Sequence, residues 1–215
     1  MGAIARNIAN NITTSGVFTS SAIANSSVTG ITVLANASDG ITFISSQTAS
    51  NSASISFTSG LTSTYKAYKF VFVNMHHRTD VTDAKFQVST DGGSNYGVAI
   101  TSSYFTAYHH EGDSYSGLTY DTGNDAAQST SFVNIADNTS SDADMSYSGS
   151  LILFNPSSTT YVKHFIIRLC NGASNPMPYD SLSAGYVNTT SAVNAIRFQS
   201  ESGNIDGKIY MYGIK

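Results

Sequence analysis

Charge is what this sequence lacks most. Lys, Arg, Asp and Glu make up 11% of its 215 residues, where a soluble chain carries about 25%. The net charge is −4 and no basic cluster occurs, which disfavours nucleic-acid binding through phosphate contacts. Strong helix formers are scarce too: Glu occurs only at Glu111 and Glu201, and Leu seven times. The single cysteine, Cys170, permits no internal disulfide and gives no sign of an oxidising compartment. At the end of an apolar run it is expected to be a buried small hydrophobe. No apolar run approaches the ~20 residues of a membrane span. The N-terminus also lacks the charged region and apolar core of a signal peptide. Membrane insertion is therefore not expected.

What is abundant is hydroxyl and ring. Ser and Thr number 58, beside 13 Tyr and 11 Phe. So much Ser and Thr would suit a disordered chain, but disordered chains lack aromatics to bury. Aromatic, β-branched and turn residues together predict an all-β fold.

Residues 65–96 organise that prediction. Phe70-Val71-Phe72-Val73 is the longest apolar run, and Phe86 and Val88 then alternate with Lys85, Gln87 and Ser89 before Asp91-Gly92-Gly93 turns the chain. This reads as strand, loop, strand, turn. Tyr68, Phe70 and Phe72 fall on one face, and Ala67, Val71, Val73 and Met75 on the other. Two apolar faces predict a central strand covered on both sides. Short strand signals recur at residues 41–44, 54–57, 98–100 and 104–109, with one more at 31–34. Residues 148–154 and 161–170 form a predicted hairpin, with Tyr161, Phe165, Ile167 and Leu169 on one face, and 193–199 with 208–214 a second. Residues 111–142 read as a long polar excursion with weak strand character only at 132–135. With no strand–helix alternation, the expected architecture is an antiparallel β-sandwich, jelly-roll-like in strand number, over residues 36–215.

Residues 1–35 differ. Ile4, Ile8 and Ile12 recur at helical spacing, and Val17 and Phe18 follow in a Ser/Thr-rich stretch. A helix of that length is marginal in isolation, so this segment is expected to be an anchoring arm or short helix that needs a partner surface. Ile4, Ile8, Ile12, Val17 and Phe18 would make its attachment and oligomerisation contacts.

Chemistry-bearing patterns are few. Gly112-Asp113-Ser114 matches the start of a GDS-type esterase signature, but no downstream Asp is followed three residues later by His. His76-His77 and His109-His110 can each offer only one imidazole per sheet face, short of a four-ligand metal site. Between residues 86 and 162 lie eight acids and no Lys or Arg. Asp142 and Asp144 are the best Ca²⁺ candidates there, although an EF-hand spacing is missing. No other metal and no cofactor is expected. Tyr104, Tyr108, Tyr115 and Tyr120 lie beside these acids. Rings to stack on sugar faces and carboxylates to take hydroxyls would suit a glycan.

IARNIANNITTSGVF (residues 4–18) resembles the N-terminal segments of bacteriophage tail-fibre and related virion proteins. FQVSTDGGSNY (86–96) and SGNIDGKIYMYGIK (202–215) resemble repeated elements in structural proteins of marine podoviruses and similar phages. The resemblance implies a non-enzymatic virion component, a tail fibre, head fibre or capsid decoration protein. Its N-terminal part would attach to the particle and to sister copies, a trimer being favoured by analogy, and its β-domain would be displayed. Other virion proteins and a host surface glycan are the implied partners, and no catalytic residues carry over. A carbohydrate-binding module using loops 104–144 is the alternative expectation, and a depolymerase or esterase the third.

Overall fold

The computed structural model describes residues 40–215. The proposed arm contacts, the strand at 31–34 and the boundary at 36 lie outside the described residues. Thirteen strands are present among them: β1 (Ile41–Ser52), β2 (Ser54–Phe57), β3 (Ala67–His77), β4 (Thr82–Ser89), β5 (Ile100–His109), β6 (Ser116–Tyr120), β7 (Ala126–Ser129), β8 (Val133–Thr139), β9 (Tyr147–Phe154), β10 (Lys163–Gly172), β11 (Pro178–Val187), β12 (Ala195–Ser200) and β13 (Ile205–Ile214). They form two antiparallel sheets. The larger runs β1-β13-β3-β9-β10-β11-β5-β6, with β7 also paired to β5, and the smaller runs β2-β12-β4-β8. The expected β-sandwich is therefore present, with unequal sheets of nine and four strands.

The two sheets meet across an aromatic core. Tyr68, Phe70 and Phe72 from β3 are buried with Leu151 and Leu153 from β9, Phe165, Ile167 and Leu169 from β10, and Ile209 and Met211 from β13. Phe57, Phe86 and Phe198 answer from the smaller sheet. Phe198 packs edge-on to Phe72 at 5.0 Å between centroids, and Phe86 to Phe165 at 5.2 Å. Such edge-to-face pairs add to the area term that drives burial.

β3 is central, as expected, but only one face is covered. Val71 is half-buried and Val73 exposed. Met75 and His77 join the inner face because β3 bulges at Asn74, where φ is 47° and the register with β9 shifts between Phe72 and Met75. An extra residue in one strand reverses which side chains point inward. Gly207 on β13 makes room for the bulge, since a Cβ there would lie 2.6 Å from the Asn74 carbonyl. Gly149 on β9 answers its other neighbour: a Cβ there would run into the Arg168 carbonyl of β10.

The expected hairpin of 193–199 with 208–214 does not form, and the strands at 67–77 and 82–89 do not pair either. β3 and β4 lie in different sheets, and so do β12 and β13. Each connection is a corner that carries the chain from one sheet to the other. The corners run side by side: Arg78 N–H donates to the Asn204 carbonyl at 2.9 Å, and the Arg78 guanidinium grips Asp206 at 2.6 Å. A short corner and a hairpin loop have the same length in sequence, so spacing alone does not separate them. The β9–β10 hairpin is present. Tyr161 precedes its second strand and is exposed, leaving Phe165, Ile167 and Leu169 on the inner face.

The stretch 111–142 holds β6, β7 and β8 rather than one long loop. β6 is mostly exposed, so no apolar alternation marks it. Cys170 is exposed on the outer face, contrary to expectation; strand register places it beside Asp180 and Ser148. That outer face is apolar over much of its width. Phe43, Ile166, Leu182, Phe105 and Leu118 all lie on it, Ile166 at 53% and Leu118 at 71% exposure.

Candidate functional site

Four strands cannot cover nine. The small sheet lies with β2 over β1 and with β8 against β10 and β11, so β5 and β6 run on past its edge. A cleft of about 390 Å³ opens near that step, within the size range of small-ligand sites.

Its walls come from separate elements. Thr106 and Tyr108 stand on β5, Thr119 on β6 with Asp121 just beyond, Asp137 on β8 and Tyr179 on β11. Tyr115, Asn175 and Met177 close it from the turns at 110–115 and 173–177. Tyr108 packs between Tyr115, edge-on at 6.3 Å, and Tyr179, tilted at 5.9 Å. Gly117 pairs with Tyr108 across the strands, and a Cβ there would lie 2.7 Å from the Tyr108 hydroxyl. The ring can occupy its position because that residue is glycine. His110 lies against Tyr115 at 4.8 Å. Its Nδ1 accepts the Gly112 N–H at 3.0 Å and lies 2.9 Å from the Ser114 hydroxyl.

The polar walls are held by their own hydrogen bonds. Asp121 accepts from Gly123 N–H and Asn124 Nδ2, both at 2.8 Å. Asn171 Nδ2 donates to the Asp137 carbonyl at 2.9 Å. Asn138 Nδ2 donates to Asn175 Oδ1 at 3.1 Å and reaches the Tyr179 hydroxyl at 3.5 Å. Behind Asp137 lies Asp83, which accepts from Asn134 Nδ2 at 2.7 Å and from Asn138 N–H at 3.2 Å. Asp137 is pushed up to about 6, first by burial, then by the charge of Asp83 and a hydrogen bond with it, and by the charge of Asp121; a hydrogen bond from Asn124 works the other way. The charged form of a carboxylate is disfavoured by both low dielectric and like charge.

Beneath the walls the interior stays polar. Tyr104 is fully buried and donates to Ser181 Oγ at 2.8 Å. Burial raises its hydroxyl pKa. Thr106 is 5% exposed, and its hydroxyl has no partner at close hydrogen-bond distance.

Of the four tyrosines singled out in the sequence, the fold brings Tyr108 and Tyr115 into the cleft. Tyr104 lies below it. Tyr120 turns to the outer face, where it donates to Asp125 at 2.6 Å and packs on Phe105. Sequence reasoning did not find Tyr179, Asn175, Asp121 or Asp137. Tyr179 follows Pro176-Met177-Pro178, far along the chain from Tyr108 and Tyr115, so no local spacing connects the three rings. Asp142 and Asp144 are both exposed, on a turn closed by Met145 N–H to the Asp142 carbonyl. Among the described residues no three His, Cys, Asp or Glu side chains are grouped to hold a metal ion. The histidine pairs separate as expected: His76 Nδ1 bonds the Met145 carbonyl, His77 the Thr139 hydroxyl, and His109 Nε2 the Asp113 carboxylate. No family model, curated protein or solved structure matches this chain.

Proposed function

We propose that this protein is a non-enzymatic structural component of a bacteriophage particle whose β-sandwich binds a host surface glycan through the cleft. The cleft carries the glycan half of this reading. Three tyrosine rings, two carboxylates and an amide converge there, the combination that stacks on sugar faces and takes up hydroxyls. The virion half rests on the resemblance of residues 4–18, 86–96 and 202–215. The apolar outer face of the large sheet supports contact with sister copies or other particle proteins.

A glycan array probed with the whole protein tests the glycan half. Tyr108→Ala should lower affinity for the retained glycan by about tenfold or more, since an aromatic anchor seated in a pocket is worth upwards of ~1 kcal/mol, with melting temperature little changed. An array without hits would sink this half. Mass spectrometry and immunogold labelling of purified particles test the other, and absence of the protein from particles would end it.

One observation favours a second reading. A carboxyl raised toward neutrality beside another carboxylate is also what glycoside cleavage uses. Release of reducing sugar from host envelope, lost in Asp137→Asn, would establish it.

A further inference from the structure

We infer that the cleft prefers a glycan bearing a free amino group, held as an ammonium between Asp121, Asp137 and the tyrosine rings. This rests on the glycan-binding reading above and adds the ligand's charge. The sign of the site follows from its lining. Two carboxylates reach the cleft, and none of its lining residues is Lys or Arg. Three of the cations elsewhere on the sheets are already matched: Lys85 with Glu201 at 2.5 Å, Arg168 with Asp180 at 2.7 Å and Arg78 with Asp206 at 2.6 Å. His110 does not line the cleft, and its Nδ1 is taken up by the Gly112 N–H. An anionic sugar entering here would therefore face like charge with no counter-ion. An ammonium would gain charge-assisted hydrogen bonds from the carboxylates and attraction to the ring faces.

A second feature, independent of the acids, also points to a ligand. Thr106 lines the cleft and is more than nine-tenths buried, and its hydroxyl, beside that of Tyr104, has no partner at close hydrogen-bond distance. Buried hydroxyls are rarely left so. Asp83 stands behind Asp137 and does not line the cleft, so the ligand-facing charge is that of Asp121 and Asp137.

Calorimetric titration of the whole protein near neutral pH separates the possibilities. The probes are a glucosamine oligomer, its N-acetylated counterpart and a glucuronate-containing oligomer of equal length. The glucosamine oligomer should bind about tenfold more tightly than the acetylated one, a difference that one charge-assisted contact supplies, and the uronate oligomer most weakly. Asp121→Asn should bring the first two within about twofold while retaining binding of the acetylated oligomer. If that variant folds poorly, Asp137→Asn provides the same comparison. Equal or tighter binding of the acetylated or uronate oligomer overturns the inference and leaves the glycan reading standing. No binding of any oligomer, with the native protein also silent on the array, overturns both.

Discussion

The space between the two sheets has two unlike ends. Under β3, β9 and β13 it is filled by Phe57, Phe70, Phe72 and Phe198, with centroids 5.0 to 6.5 Å apart. Under β5 and β11 it holds Ser102, Tyr104, Thr106, Ser181 and Ser183, several with hydroxyls unpartnered. The first end is covered by the small sheet, and the second lies at and beyond its edge. Close-packed rings convert burial into stability. A hydroxyl-lined end gives up part of that gain and keeps groups that can face a ligand. Under the proposed glycan reading, cohesion and recognition fall at opposite ends of one interface.

The contrast can be broken most severely at the aromatic end. Phe72→Asp buries a carboxylate at a position 1% exposed, a cost beyond what a domain's net stability of ~5–15 kcal/mol absorbs comfortably. Circular dichroism should show no cooperative melt, and an unchanged melting curve would refute the assignment.

Acid sharpens it next, through His77 at the boundary of the rings. The Thr139 hydroxyl donates to the Thr82 carbonyl at 2.6 Å, so it accepts from His77 Nδ1–H at 2.5 Å. Nε2 is left bare and buried against Tyr147. Burial first, then the charge of His76, holds the ring at about 4, against an opposing backbone bond to Thr82. The unfolded chain takes its proton first, near 6.5. His77 therefore leaves stability unaffected above 6.5 and removes about 3 kcal/mol as pH falls from 6.5 to 4. Across that window the urea midpoint of the native protein should fall relative to that of His77→Gln.

Asp137 at the polar end has the opposite sign. Its folded value near 6 lies above the unfolded 3.8, so the folded state binds the proton first, and stability drops as pH rises from 3.8 to 6. Asp137→Asn should stabilise the protein at pH 7 by about 1 kcal/mol, after discounting for the solvent that screens a half-exposed group. Below pH 3.8 the two proteins should melt alike.

The smallest effect belongs to Ser183, 3% exposed with its hydroxyl unpartnered. Ser183→Ala should be neutral or stabilising by up to ~1 kcal/mol. A clear loss in the denaturant midpoint would mean that the hydroxyl is satisfied after all, and that the two ends differ less than described.

The aromatic end was largely legible in the sequence and the polar end was not. Phe70 and Phe72 announce a buried strand by size, and Phe165, Ile167 and Leu169 by period. Which sheet receives β4 depended on its pairing with β12, far along the chain, and no local pattern carries that. β6 escaped notice because both of its faces are wet. Cys170 continues the apolar run Ile166-Ile167 and so suggested burial, but strand alternation turns it outward with Ile166 and Arg168. The cleft draws on β5, β6, β8 and β11, and only the Tyr108–Tyr115 side of it is local.

The strand order has a mechanical consequence. Ile41 pairs with Ile214 at one edge of the nine-stranded sheet, while β5 and β6 with the cleft stand at the other. About six strand spacings, roughly 30 Å, separate them. Tension applied between the cleft and Ile41 would run crosswise to the strands, along the inter-strand hydrogen bonds. Entering at the end of β1, it would open a seam bond by bond, and the two corners that stitch β3 to β4 and β12 to β13 would carry part of the load into the smaller sheet.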